Sequence, residues 1–265
     1  MTLASLLFRR KTELPRPAAV SLYLDLLKGC LTRTLFLDGN LHADLSSPKP
    51  ASLELRYEGK DWPTEAETMI GIKRLNNLEE CVTEVLRNDI KGDLVETGVW
   101  RGGASIFMRG VLKAYGVEDR RVWLADSFAG LPEPDPVTYP KDAGDIHHTF
   151  SPYLAVTLEQ VKANFERYGL FDSQVRFLEG WFKDTLPNAP IDQIAVLRLD
   201  GDMYESTIVA LSSLYDRVSK SGFIIVDDYG CLPNCRAAVD DFRQARNIQD
   251  PIRTVDWTGV FWQKS

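Results

Sequence analysis

A chain of 265 residues, 44% of them hydrophobic, is long enough to bury a real core and reads as a globular protein. Its formal charge of -7, from 38 acidic against 31 basic residues, argues against a nucleic-acid-binding surface. No apolar run approaches the roughly 20 residues that cross a bilayer. The N-terminal "MTLASLLFRRKTELP" puts its basic residues after its apolar run, the reverse of a secretory signal. Cys30, Cys81, Cys231 and Cys235 are scattered and read as reduced packing cysteines. The expectation is a soluble cytoplasmic protein with neither a nucleic-acid nor a membrane partner.

In chain order, "PRPAAVSLYLDLLKGCLTRTL" predicts a helix after its prolines, and "HADLSSPKPASLELRYEGKDWP" an irregular connector. Residues 1–60 are read as an N-terminal extension, packing on the core or on a second subunit, and 61–265 as the main domain. "TEAETMIGIKRLNNLEECVTEVLRNDI" predicts a long amphipathic helix started by Pro63-Thr64. From Gly92 strands and helices alternate: "DLVETGV", "RVWLADSF", "QVRFLEG", "IAVLRLD" and "GFIIVDDY" as strands, with "GGASIFMRGVLKAYG", "TLEQVKANFERYG", "YESTIVALSSLYDRVS" and "PNCRAAVDDFRQARN" as helices. Such alternation predicts an α/β, doubly wound, mostly parallel sheet covered on both faces. At the end, "IRTVDW" and "GVFWQKS" are separated only by Thr258, a link that permits an antiparallel hairpin but no parallel crossover. A seven-stranded sheet closing on that hairpin is similar to the Rossmann-like fold of class I S-adenosylmethionine methyltransferases.

Ligands bind outside the carboxyl ends of strands in such sheets. The first strand end, "ETGVWRGGAS", offers Gly98, Gly102 and Gly103 for close backbone approach, with Glu96 placed to anchor a cofactor's charged end. It is neither the dinucleotide fingerprint nor a phosphate-binding loop. "LADSF" places Asp126 where it can accept from ribose hydroxyls, and "EGWF" offers Gly180 and Trp181 to an adenine ring. An ordinary turn, a capping acid and a core tryptophan are the plainer readings of each. Together the three favour a nucleoside-containing cofactor.

"LRLDGDMYES" and "FIIVDDYG" end two neighbouring strands in Asp200, Asp227 and Asp228. Hard oxygen ligands of this kind suit Mg²⁺, and a divalent cation would relieve their repulsion. Helix capping could account for one or two of these acids. Glu205 is placed in the first turn of its helix. The polar stretch "PEPDPVTYPKDAGDIHHTFSPYLAV" is long enough for a lid or binding segment. His147 and His148 within it read as solvated loop histidines.

From Trp62 to the C-terminus, "ETMIGIKRLNNLE", "ETGVWRGGAS", "LADSFAGLP", "QVRFLEGWFKDTLP", "LRLDGDMYEST" and "IIVDDYG" resemble the macrocin O-methyltransferase family, which methylates sugar hydroxyls on macrolide and aminocoumarin antibiotics. The resemblance implies S-adenosylmethionine in the glycine-loop crevice and Mg²⁺ held by Asp200, Asp227 and Asp228. It makes Asp202 the general base. Glu96, Thr97, Gly98, Arg101 and Ser105 would form the cofactor loop, Asp126, Ser127 and Phe128 the ribose side, and Met69 with Ile70 a cover from the upstream helix. The implied partner is a glycosylated small molecule, and the chain would form a homo-oligomer. Three other readings stay open: a catechol or phenol acceptor, a metal-dependent glycosyltransferase using Asp200-Gly201-Asp202 as an Asp-x-Asp motif, and a non-catalytic binding protein.

Overall fold

The computed structural model describes residues 18–41 and 45–265. The segment inspected for a secretory signal, the prolines before the first expected helix and the opening of the connector lie outside the described residues. Chain order runs α1 (Ala18–Leu31), β1 (Gly39–Asn40), β2 (Lys49–Pro50), α2 (Leu53–Glu58), α3 (Gly71–Arg87), β3 (Asp93–Thr97), α4 (Gly103–Ala114), β4 (Val122–Asp126), α5 (Ser151–Leu154), α6 (Leu158–Arg167), β5 (Val175–Glu179), α7 (Phe182–Thr185), β6 (Ile194–Leu199), α8 (Tyr204–Leu214), β7 (Val218–Val226), α9 (Pro233–Ala245), β8 (Arg253–Thr254) and β9 (Val260–Gln263).

Seven strands form one sheet in the order β5-β4-β3-β6-β7-β9-β8. Pairing is parallel as far as β7, and β9 runs antiparallel between β7 and β8. This is the doubly wound, mostly parallel sheet with a C-terminal hairpin that the alternation predicts. Helices α1, α3, α4 and α6 cover one face through Leu24, Leu78, Phe107 and Phe165. On the other face α8 and α9 pack Leu211 and Val239 around Trp262. Every residue of β6 is buried, as befits a central parallel strand. The chain winds outward in both directions from β3 and β6, so their carboxyl ends form the switch point where a crevice opens. No helix among the described residues is long and apolar enough to cross a membrane. All four cysteines are free.

Three expectations are corrected. The long helix begins at Gly71, not at Thr64. Residues 64–70 are instead a strap: Glu67 and Thr68 donate their amides to Leu31 O, and Gly103 N donates to Glu67 O at 2.9 Å. Those tertiary bonds replace the helical ones. Met69 and Ile70 therefore approach the crevice from a loop. Second, the expected irregular connector contains α2, capped by Ser52 at its start and closed by Gly59 in the left-handed conformation. Its Arg56 is fully buried between Asp38 and Asp61, which fixes the chain entering Trp62. Third, the hairpin tip is longer than one residue, because Asp256 accepts from Thr258 N and Gly259 N and shortens β8 to two residues. The described part of residues 1–60 joins the main core through Leu24, Leu27 and Leu31.

Candidate active site

A cavity of about 520 Å³ opens at the carboxyl ends of β3, β4, β6 and β7, within the size range of small-molecule sites. Of the residues singled out in the sequence, Met69, Ile70, Glu96, Gly98, Asp126, Ser127, Trp181, Asp200, Asp202, Asp227 and Asp228 line it. Three non-glycine residues with left-handed backbone stand at strand ends here, Trp100 after β3, Phe128 after β4 and Asp202 after β6. Each such residue costs of order 1–3 kcal/mol, and clustering of this strain accompanies functional sites.

At the β3 end the main chain turns sharply at Gly98, with φ +83°. A Cβ there would stand 1.7 Å from the main-chain oxygen of Asp200. Gly98→Ala is therefore expected to lower stability by about 2–4 kcal/mol, combining left-handed strain with overpacking; urea unfolding is the measurement. An unchanged midpoint would contradict this close approach of β3 and β6.

Thr97, Arg101, Ser105, Phe128 and Gly180 do not line the cavity, and the structure shows what each does instead. Ser105 donates to Glu96 and so orients it. Arg101 lies on the Trp100 ring at 4.2 Å and donates to Ala66 O, tying the strap to the glycine loop. Phe128 packs on Phe177. Gly180 donates its amide to Asp126 O, while Thr97 is buried. Asp126 accepts from Val99 N at 2.7 Å and Phe128 N at 2.8 Å, so it organises two turns while facing the cavity.

The acids divide in a way the sequence did not show. Asp200, Asp202 and Asp228 bring carboxylate oxygens within 4.8 Å of one another. Asp227 is instead held at one oxygen by Arg198 and at the other by Arg74. Arg198 also reaches Glu96 at 2.7 Å and Asp200 at 2.8 Å. Glu96, Asp200, Asp227 and Asp256 thus share two guanidinium groups, and Asp202 and Asp228 add two further acids beside them, leaving an excess of negative charge. Asp228 Oδ2 is buried without a hydrogen-bond partner. Burial, then the charges of Asp202, Asp200 and Asp227, push the Asp228 carboxyl well above its usual range. Burial and the Asp200 charge raise Asp202 to about 7, and His147 opposes that rise. Burial raises Glu96 to about 7 against the pull of Arg198 and Ser105. A buried, unpartnered carboxylate oxygen within reach of two further acids has the hard donor chemistry of an Mg²⁺ site.

Sequence reasoning missed Arg74 and Arg198. Arg198 carried a signal, since a lone charge inside the apolar β6 run has to find a buried partner. Arg74 carried none, because its contacts with Asp227 and with Asp256 at 3.2 Å come from distant segments. Lys60, Trp62 and Trp257, also unforeseen, line the cavity, with Lys60 over the Trp257 ring at 5.9 Å. Trp62 stacks on Tyr153 at 5.1 Å, so the long loop after β4 meets the N-terminal segment beside the cavity.

Residues 20–264 match the family described as Macrocin-O-methyltransferase (TylF). The chain is similar to the 8-demethyl-8-(2,3-dimethoxy-alpha-L-rhamnosyl)-tetracenomycin-C 4'-O-methyltransferase of Streptomyces olivaceus, 54% identical over 245 residues that cover 92% of this chain and 93% of that protein. Demethyldecarbamoylnovobiocin O-methyltransferase of Streptomyces niveus is 52% identical over 247 residues, covering 92% of this chain and 94% of its own. The solved structure of the O-methyltransferase NovP, 51% identical, has a TM-score of 0.89 and covers 93% of this chain and 99% of that one. The glycosyltransferase reading of Asp200-Gly201-Asp202 and the non-catalytic reading of the chain end with these matches. The chain belongs to the macrocin O-methyltransferase family and is an enzyme of the methyltransferase class.

Proposed function

We propose that this chain methylates a hydroxyl of a deoxysugar on a glycosylated natural product, using S-adenosylmethionine and Mg²⁺. The observation that carries the reading is the unpartnered Asp228 Oδ2 among neighbouring acids on the cavity wall. The two relatives named above are methyltransferases of a rhamnosyl-bearing tetracenomycin and of a novobiocin precursor, which supports the acceptor class.

Glu96, Gly98, Asp126 and Trp181 line the part of the cavity assigned to the cofactor, with Met69 and Ile70 from the strap closing over it. Asp200 and Asp228 would hold the cation. Asp227, which has Arg74 on one oxygen and Arg198 on the other, completes the set on the family resemblance. The cation, when bound, supplies charge stabilisation to an acceptor oxygen that is a poor nucleophile at neutral pH. Asp202 would take the proton of the acceptor hydroxyl, and S-adenosylmethionine, when bound, would supply the methyl group and leave as the neutral thioether. Side chains fixed by the buried ionic network would provide the in-line placement that a sulfonium methyl requires.

The test is mass spectrometry on purified protein with S-adenosylmethionine, Mg²⁺ and two acceptors, demethyldecarbamoylnovobiocin and 8-demethyl-8-(2,3-dimethoxy-α-L-rhamnosyl)-tetracenomycin C. A gain of one methyl group on a glycosylated acceptor is expected, with none on simple catechols. Chelation is expected to abolish transfer and added Mg²⁺ to restore it. Full activity in chelator would remove the metal from the proposal, and transfer to catechols alone would replace the acceptor class.

A further inference from the structure

The sequence left His147 and His148 as loop histidines, and the structure separates them: only His147 of the two lines the cavity. Its Nδ1 lies 2.9 and 3.0 Å from the two carboxylate oxygens of Asp145. With Nδ1–H donated to a carboxylate, a neutral imidazole keeps Nε2, on the far edge of the ring, as a hydrogen-bond acceptor. Asp145 is itself held, accepting from His147 N at 2.8 Å and from Asn234 on α9 at 3.3 Å.

The loop carrying this pair is latched to the catalytic wall. Asp142 is fully buried and accepts from Tyr204 N and Glu205 N, both at 2.8 Å. These are the first amides of α8, whose own N-cap residue, Met203, makes no side-chain bond. The loop thus supplies the helix cap in trans. Because α8 starts two residues after Asp202, the same bonds that fix the helix start also fix His147 relative to the acids. On its other side the loop is stacked through Tyr153 on Trp62, and Tyr153 Oη donates to Pro63 O at 2.7 Å. A solvated surface histidine would need none of this anchoring.

We propose that His147, oriented by Asp145, is an acceptor-binding residue whose Nε2 accepts a hydrogen bond from a hydroxyl of the sugar. This rests on the methyl-transfer reading above and names a further contact of that same site. In the neutral ring the contact has one polarity, with the cavity presenting an acceptor and the substrate a donor. A ligand already methylated or deoxygenated at that position loses the contact and leaves Nε2 unpaired.

The test is calorimetric binding of demethyldecarbamoylnovobiocin and the tetracenomycin acceptor to protein saturated with S-adenosylhomocysteine and Mg²⁺, for the wild type, His147→Ala and His147→Gln. We expect His147→Ala to weaken acceptor binding about tenfold, with KM rising in parallel and kcat changing less. His147→Gln, whose side-chain oxygen can also accept, is expected to recover part of the loss. S-adenosylhomocysteine affinity and the unfolding midpoint should stay within about twofold and about 2 °C of the wild type, respectively. Equal acceptor affinity in wild type and His147→Ala overturns the proposal while leaving the methyl-transfer reading intact. A parallel loss of S-adenosylhomocysteine affinity assigns the histidine a general structural role and also overturns it. Failure of the wild type to bind either acceptor overturns both.

Discussion

Arg198→Met is expected to lower folding stability by about 3–5 kcal/mol, the cost of removing one partner from a buried ionic network. The arginine is buried in the central strand β6 and directly opposite Glu96 in the parallel register with β3. It serves Glu96, Asp200 and Asp227 at once, so methionine fills the volume but strands Glu96 and Asp200 and leaves Asp227 to Arg74 alone. The loss should depend on pH. Glu96 already sits at about 7 in the fold against an ordinary 4.5, because burial outweighs the arginine beside it. An acid whose folded pKa is raised favours the fold while protonated and penalises it once ionised. Without Arg198 that penalty grows, so the deficit should be smallest near pH 5 and deepen as pH rises through 7 and beyond. Urea midpoints for both proteins across that range provide the measurement. A deficit under 1 kcal/mol at pH 8 would mean that the network is hydrated rather than buried.

The same network shows which parts of the site the sequence could reveal. The strands of a mostly parallel sheet, the hairpin and the positions of Asp200, Asp202, Asp227 and Asp228 follow from local apolar runs and from the rule that acids at strand ends face the crevice. What those acids do there depends on partners distant in sequence. Asp227 and Asp228 are adjacent, yet one is held by Arg74 from α3 and Arg198 from β6 while the other keeps a bare oxygen. No spacing rule distinguishes them. The strap at 64–70 was hidden for a similar reason: its residues fit a helical pattern, but bonds to Leu31 and Gly103 prevail over that local preference. The place of His147 on the cavity wall was not legible because a polar loop carries no periodicity, and the loop's anchoring comes from Asp142 reaching the first amides of α8. Arg198 was legible in principle, since an arginine within "IAVLRLD" cannot be buried unpaired.

Asp202→Asn is expected to lower kcat by about 10² to 10⁴, the range supplied by a positioned general base, while leaving cofactor affinity unchanged. The substitution suits the backbone, because Asp202 has φ +59° and asparagine is among the few residues that tolerate that conformation. The side chain keeps its shape and loses its proton-accepting charge. Geometry alone offers Asp202 a second role, since its oxygen lies with those of Asp200 and Asp228 in a cluster able to hold a cation. Mn²⁺ titration followed by electron paramagnetic resonance separates the two, because a base can be neutralised without loss of metal whereas a ligand cannot. Under the base assignment Asp202→Asn keeps Mn²⁺ affinity within about threefold, whereas Asp228→Asn lowers it at least about tenfold. Asp227→Asn then supplies the third comparison. If it too lowers Mn²⁺ affinity, the Asp227 charge that now stabilises Arg74 and Arg198 is shared with the metal. If Asp202→Asn and not Asp227→Asn abolishes Mn²⁺ binding, the cation belongs to Asp200, Asp202 and Asp228, and the proton must leave by another group on the cavity wall.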